Sequence, residues 1–126
     1  MKIYFLLITI IASTLFSCSK EEGEGGRSSI TGKIHLTDVT GGNQGDYYVP
    51  DYDVYILYGE DDDIYDDDTK TNYDGSFKFV NLREGAYRIF AYTRDAADPS
   101  GVKPVFTSIQ ISGEEDANVG IIEVQK

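Results

Sequence analysis

The chain predicts an all-β domain, a seven-stranded antiparallel β-sandwich of the immunoglobulin-like or prealbumin-like kind, and three observations carry that expectation. From Ser29 onward, apolar and polar residues alternate with a period of two in short runs. Gly, Asn, Asp and Pro punctuate those runs, as tight turns require. No window of about 11 residues repeats its apolar positions at helical spacing. Strands with one apolar face each need a second layer to cover it, and two packed sheets are the economical arrangement.

The first strand sets Ile30, Gly32, Ile34 and Leu36 on one face and Thr31, Lys33, His35 and Thr37 on the other. A loop from Asp38 to Asp51 follows, marked by Gly41, Gly42 and Pro50. In the second strand Val54, Ile56 and Tyr58 oppose Asp53, Tyr55 and Leu57, with Tyr58 expected in the core. After the acidic stretch from Glu60 to Asp68 comes a short strand over Thr69 to Asn72. A turn at Asp74-Gly75 leads into Phe77 and Phe79, which alternate with Ser76, Lys78 and Val80. A second turn at Arg83-Glu84-Gly85 opens the longest clean strand, Ala86 to Arg94, where Tyr87, Ile89 and Ala91 oppose Arg88, Phe90 and Tyr92. Val105, Thr107, Ile109 and Ile111 share a face of the sixth strand. Ile122 and Val124 alternate with Ile121 and Glu123 in the seventh.

The run from Thr71 to Ile89 holds a turn glycine (Gly75), alternating aromatics (Phe77, Phe79), Leu82, and Gly85 two residues before Tyr87. It resembles the carboxypeptidase regulatory-like domains, which belong with the transthyretin-like and Cna-B-like sandwiches. Ile30-Thr31-Gly32-Lys33-Ile34 is similar to that family's opening strand. The likeness extends over most of residues 29–126. It implies tight turns at Gly75 and Gly85, Leu82 closing one end of the core and Tyr87 entering it. It specifies fold far better than task, because this sandwich hosts many unrelated functions.

The amino-terminal end reads as an export signal. Lys2 precedes an apolar run from Ile3 to Ile11 interrupted only by Thr9, and a small residue, Ser17, sits just before Cys18. That run is shorter than the roughly 20 apolar residues that a transmembrane helix needs. Cys18 is the only cysteine, so it can form no intramolecular disulfide in an oxidising compartment. Leu15-Phe16-Ser17-Cys18 resembles the lipobox of bacterial lipoproteins, which implies cleavage after residue 17 and a diacylglycerol on Cys18. At roughly 0.8 kcal/mol per buried methylene, two or more acyl chains hold a protein at a membrane where one is marginal. Residues 18–28 lack apolar side chains and are rich in glycine and charge, so they are expected to be a flexible tether, with the sandwich over 29–126. Lys20, Glu21 and Glu22, close behind the cysteine, are similar to the export signal of Bacteroidetes surface lipoproteins. An outward-facing place on the outer membrane is expected, with a periplasm-facing one as the alternative.

The formal charge of −11 makes nucleic acid and anionic lipid poor partners, because like charges repel. Catalysis is not expected. The chain has one histidine, His35, on a predicted outward face, and it lacks the His-Glu-x-x-His pattern of metalloproteases. The related hydroxyisourate hydrolases end in Tyr-Arg-Gly-Ser, whereas this chain ends Glu123-Val124-Gln125-Lys126. Lys33 and Asn118 could serve as partners in the isopeptide bond of Cna-B-like domains, yet the strand after Tyr87 supplies no inward carboxylate to promote it.

Two compositional features remain. The run Glu60 to Asp68 offers oxygen ligands at Asp61, Asp62, Asp63, Asp66 and Asp68. It reads either as a weak calcium site or as a solvated, self-repelling loop, and no other cofactor is expected. Seven of the ten tyrosines fall between Tyr47 and Tyr73. With neighbouring strands, Tyr55 and Leu57 beside Phe90 and Tyr92 would form an outward patch suited to a glycan or a protein, unless a loop covers it. The expected function is a lipid-anchored, non-catalytic binding module. A self-associating structural subunit and a calcium-binding accessory domain are the alternatives, with oligomeric state left open.

Overall fold

Among the described residues eight strands form, and the first of them organises the rest. A computed structural model describes residues 21–41, 45–60 and 64–126. The expected signal peptide, Cys18 and Lys20 lie outside the described residues, as do Asp61, Asp62 and Asp63. The strands are β1 (Glu24–Asp38), β2 (Gly45–Tyr48), β3 (Asp53–Tyr58), β4 (Asp67–Lys70), β5 (Ser76–Leu82), β6 (Gly85–Arg94), β7 (Val102–Ile111) and β8 (Asp116–Gln125).

One sheet is built on β1. Its first part pairs antiparallel with β5 and its last four residues with β2. Thr31 and Lys33 pair with β5 and β8 at once, and His35 with β2 and β8 at once, so β8 occupies the opposite edge of β1. There it runs parallel, joining the first and last strands. The second sheet has the order β4-β3-β6-β7, all antiparallel. Pro104, which has no N–H to donate, sits in edge strand β7, where that loss is tolerated.

Side chains that alternate inward fill the space between the sheets. Ile30, Ile34, Leu36, Phe77, Phe79, Leu82, Ile122 and Val124 come from the first sheet, and Val54, Ile56, Tyr87, Ile89, Ala91 and Ile111 from the second. The parity flips in β5, where Asn81 at a φ of 59° adds a residue between Phe79 and Leu82, and again in β8. Ala117 and Val119 pack inward, as do Ile122 and Val124, with one residue too many between the two pairs. A bulge between the pairings Thr31 with Asn118 and Lys33 with Ile121 absorbs the extra residue. Gly120 supplies the positive φ of 81° there, and its N–H donates to Asn118 Oδ1. Ile121 is consequently turned out to solvent.

The all-β sandwich stands, with one strand more than the seven expected: β2 forms inside the stretch read as a loop. All four of its residues are exposed, so no alternation marks it. The short strand expected over Thr69 to Asn72 begins earlier, at Asp67, and ends at Lys70. Tyr58, expected in the core, is half-buried at its rim, edge-on to Tyr87 with centroids 5.8 Å apart. Burial, followed by the charges of Asp67, Glu24 and Asp66, pushes its hydroxyl up to about 12.

The tether expected over residues 18–28 is corrected more substantially. Residues from Glu24 on are strand β1, and the turn before it is clamped to the sandwich. The Gly23 N–H donates to the Tyr87 hydroxyl at 2.9 Å, Tyr87 donates to the Arg83 carbonyl at 2.7 Å, and the Arg83 N–H donates to the Gly23 carbonyl at 2.9 Å. The glycines that suggested flexibility serve close approach instead: a Cβ on Gly26 would stand 2.0 Å from the Leu82 carbonyl oxygen. Glu22, expected to act only as part of an export signal, packs its side chain against Gly85.

Candidate functional site: an aromatic face on the second sheet

Antiparallel pairing places Tyr55 of β3 opposite Phe90 of β6, and Phe90 opposite Phe106 of β7. These three side chains point away from the core, on the outer face of the sheet. The rings of Tyr55 and Phe90 stack with centroids 4.9 Å apart and an interplanar angle of 18°. Phe106 tilts against the far side of Phe90 at 5.0 Å, and Tyr65, from the loop before β4, tilts against Tyr55 at 4.7 Å. Tyr92 lies one row along β6, edge-on to Tyr55 at 5.7 Å and to Phe90 at 5.5 Å. Five rings thus form one cluster with the offset-stacked and edge-to-face contacts that aromatic quadrupoles favour.

The four residues expected to form an exposed patch do meet on one face, but two of them are covered. Phe90 is 5% exposed because Tyr55 and Phe106 flank it. Leu57 is 1% exposed although it faces away from the interlayer core. It sits opposite Arg88 in the register, where cross-strand side chains lie within about 5 Å of each other. The accessible surface belongs instead to Phe106 (51%), Tyr65 (48%) and Tyr92 (41%). Phe106 could have been anticipated, since it alternates with Val105 and Thr107 and a hairpin would bring it beside Phe90. Tyr65 carries no such signal, lying within the acidic stretch and outside any alternating run.

Polar groups rim the cluster. Lys70 Nζ donates to Asp53 Oδ1 at 2.7 Å, and that hydrogen bond holds the ammonium pKa above its usual value. The pair is about half exposed, so it contributes little to stability. The Arg88 guanidinium lies 6.0 Å from the Phe106 ring centre, at the limit of a cation–π contact. Burial, followed by the charge of Asp53, raises the Tyr55 hydroxyl pKa.

The acidic run serves the backbone where it is described. Asp66 Oδ2 accepts from the Tyr58 N–H at 2.7 Å, Asp67 Oδ1 accepts from the Asp68 N–H, and Asp68 pairs with Tyr55 in strand register. The end of the run is therefore strand rather than loop. Among the described residues no group of three or more His, Cys, Asp or Glu side chains is placed to hold a metal ion.

The outer face of the first sheet holds His35 and Lys33. Lys33 Nζ stands 5.0 Å from the Tyr48 ring centre, and Asn118 Oδ1 accepts from the Gly120 N–H at 2.7 Å. His35 Nδ1 is 2.6 Å from Glu123 Oε2 on β8, and Nε2 is 3.0 Å from Asp46 Oδ1 on β2. A carboxylate only accepts, so satisfying both requires two N–H donors, that is, the imidazolium. The hydrogen bonds to Glu123 and then Asp46 raise the His35 pKa above 6.5. The favourable contribution is therefore complete below pH 6.5 and is lost as pH rises through the higher folded value. An NMR titration of His35 is expected to show a midpoint above 6.5, displaced downward by Glu123→Gln. A midpoint at or below 6.5 in the native chain would refute the double clasp.

Fold and site together define an eight-stranded β-sandwich with a partly exposed aromatic face. No protein-family model matches the chain, and no curated protein does. Among solved structures it is similar to PA1324 of Pseudomonas aeruginosa, a protein suggested to bind carbohydrate. The two are 16% identical, with a TM-score of 0.53 over 82% of this chain and 91% of that one. At that identity the likeness establishes a shared fold.

Proposed function

We propose that the mature chain is a non-catalytic, lipid-anchored module of the outer membrane, facing outward, that binds glycan through the outer face of its second sheet. The observation that carries this reading is the five-ring cluster, in which the stack of half-buried Tyr55 on buried Phe90 supports the exposed rings of Tyr65, Tyr92 and Phe106. Aromatic faces match the apolar faces of sugar rings, and tyrosine adds a hydroxyl for polar contact. The suggested activity of PA1324 agrees with this, as does the lipobox-like sequence ending at Cys18. Against catalysis, both nitrogens of the sole histidine are occupied by carboxylates.

The test is affinity electrophoresis and glycan-array binding of the purified mature chain, compared with a Tyr92→Ala, Phe106→Ala double variant. Binding is expected to weaken by about tenfold or more, equivalent to about 1.4 kcal/mol. Both rings are about half exposed and Phe106 flanks Phe90, so the variant should stay folded with a lowered melting temperature, and binding is compared where both proteins are folded. Undiminished binding in the double variant would sink the assignment of this face.

One observation favours a second reading, a self-associating subunit: β7 is a ten-residue strand at the edge of its sheet, with backbone groups open to pairing. Light scattering separates the two, since self-association through the β7 edge predicts an oligomer and the glycan reading does not require one.

A further inference from the structure

Resting on the glycan reading, we infer that the ligand is an uncharged oligo- or polysaccharide rather than a monosaccharide or an acidic glycan. The length follows from where the faces are. Tyr55 and Phe90 cover each other, so their stack offers edges to a ligand and not a platform. The open surface lies at three points around it: Tyr65 beyond Tyr55, Phe106 beyond Phe90, and Tyr92 one row along. From Phe106 on β7 across β6 and β3 to Tyr65 is three ring-to-ring steps of nearly one strand spacing each, a path on the order of 14 Å along the rings. One sugar ring cannot touch both ends, whereas a chain of several can.

The lack of charge follows from what borders the rings. Tyr65 is embedded in the run Glu60 to Asp68, and Asp68 sits opposite Tyr55 in register, while Asp53 is offset by its pairing with Lys70. A polyanion reaching Tyr65 would bring its carboxylates or sulfates within a screening length, about 8 Å at physiological salt, of those side chains. The cations of this face are committed or remote: Lys70 is held by Asp53, Arg88 packs at Phe106, and Arg94 lies at the end of β6 beyond Tyr92. A neutral sugar meets no such repulsion. Its hydroxyls donate to carboxylates, which only accept, so the same acids that repel an anion can hold a polyol.

The test uses one backbone in two charge states: a neutral β-glucan and the same polymer oxidised at C6 to the uronate, with neutral mannan, galactan and xylan and the monosaccharide glucose alongside. Retention by at least one neutral polymer is expected. Tyr65→Ala should weaken that binding several-fold, glucose should fail to compete, and no acidic polymer should bind as well as the best neutral one. If the oxidised glucan or another polyanion binds equally or better, the inference fails while the glycan function stands. Competition by glucose at the concentration that suffices for the polymer overturns the length argument. Binding to no glycan, neutral or charged, removes both the inference and the function on which it rests.

Discussion

Phe77→Ala is expected to lower the unfolding free energy by about 3–5 kcal/mol, the range for removing a buried phenylalanine ring. The ring is 1% exposed and meets Phe79 edge-on at 6.1 Å. It occupies the space left by the missing side chain of its register partner: a Cβ on Gly32 would stand 2.5 Å from Phe77 Cζ and 2.8 Å from Val119 Cγ2. Because a domain of this size has roughly 5–15 kcal/mol in hand, the loss leaves little margin. Urea denaturation measures it. The same geometry predicts coupling, since Gly32→Ala overpacks the site at a cost of about 1–3 kcal/mol. Shortening the ring by Phe77→Leu should make room for the added methyl, so the double variant should lose less than the two single losses combined. A Phe77→Ala loss below about 1 kcal/mol, or strict additivity, would contradict the packing of β5 on β1.

That pairing also shows what alternation can reveal. Ile30, Gly32, Ile34 and Leu36 read as an inward face, and they are one, because β1 is paired on both edges and buried on one side only. The same holds for Val54 and Ile56, for Phe77 and Phe79, and for Tyr87, Ile89 and Ala91. Gly85 does adopt a positive φ, 140°, at the turn into β6, and Leu82 and Tyr87 are buried. What escaped the pattern lacked a solvent-to-core contrast. β2 is exposed throughout, and β1 opens on Glu24, Gly25 and Gly26, which carry no apolar side chain. Polar glycine-rich sequence looks the same whether the chain is loose or pressed too closely against a neighbour to carry side chains.

The aromatic face was legible only to the level of which residues share it. Alternation put Tyr55, Leu57, Phe90 and Tyr92 outward, and strand order brought them together. It could not say that two of them would be covered by their own neighbours, because outward in a strand means away from one layer, not toward water. Exposure depends on ring-to-ring geometry and on Tyr65, which arrives from a loop without periodicity.

The second large effect concerns the clamp at the amino-terminal end. Tyr87→Phe keeps the ring in the core and removes only the hydroxyl that accepts from Gly23 and donates to Arg83. A buried N–H and a carbonyl lose their partner, at a cost of about 1–3 kcal/mol. The local consequence should exceed the global one. Amide exchange at Gly23 and in the first residues of β1 is expected to rise toward the unprotected rate, while β5 and β6 keep most of their protection. On the proposal that Cys18 carries the lipid, this clamp sets the posture of the module. Only Ser19 and Lys20 separate Cys18 from Glu21, where the described chain begins. At no more than about 3.5 Å per residue, that leash keeps the end of the sandwich bearing Glu22, Gly85 and Arg83 next to the membrane. In the Tyr87→Phe variant the leash lengthens by the residues released, and a fluorophore at Glu84 of the membrane-bound protein should move away from a quencher in the headgroups. Unchanged exchange at Gly23 would show that Tyr87 does not hold the segment. Altered exchange with unchanged quenching would separate the clamp, which would stand, from the posture, which would not.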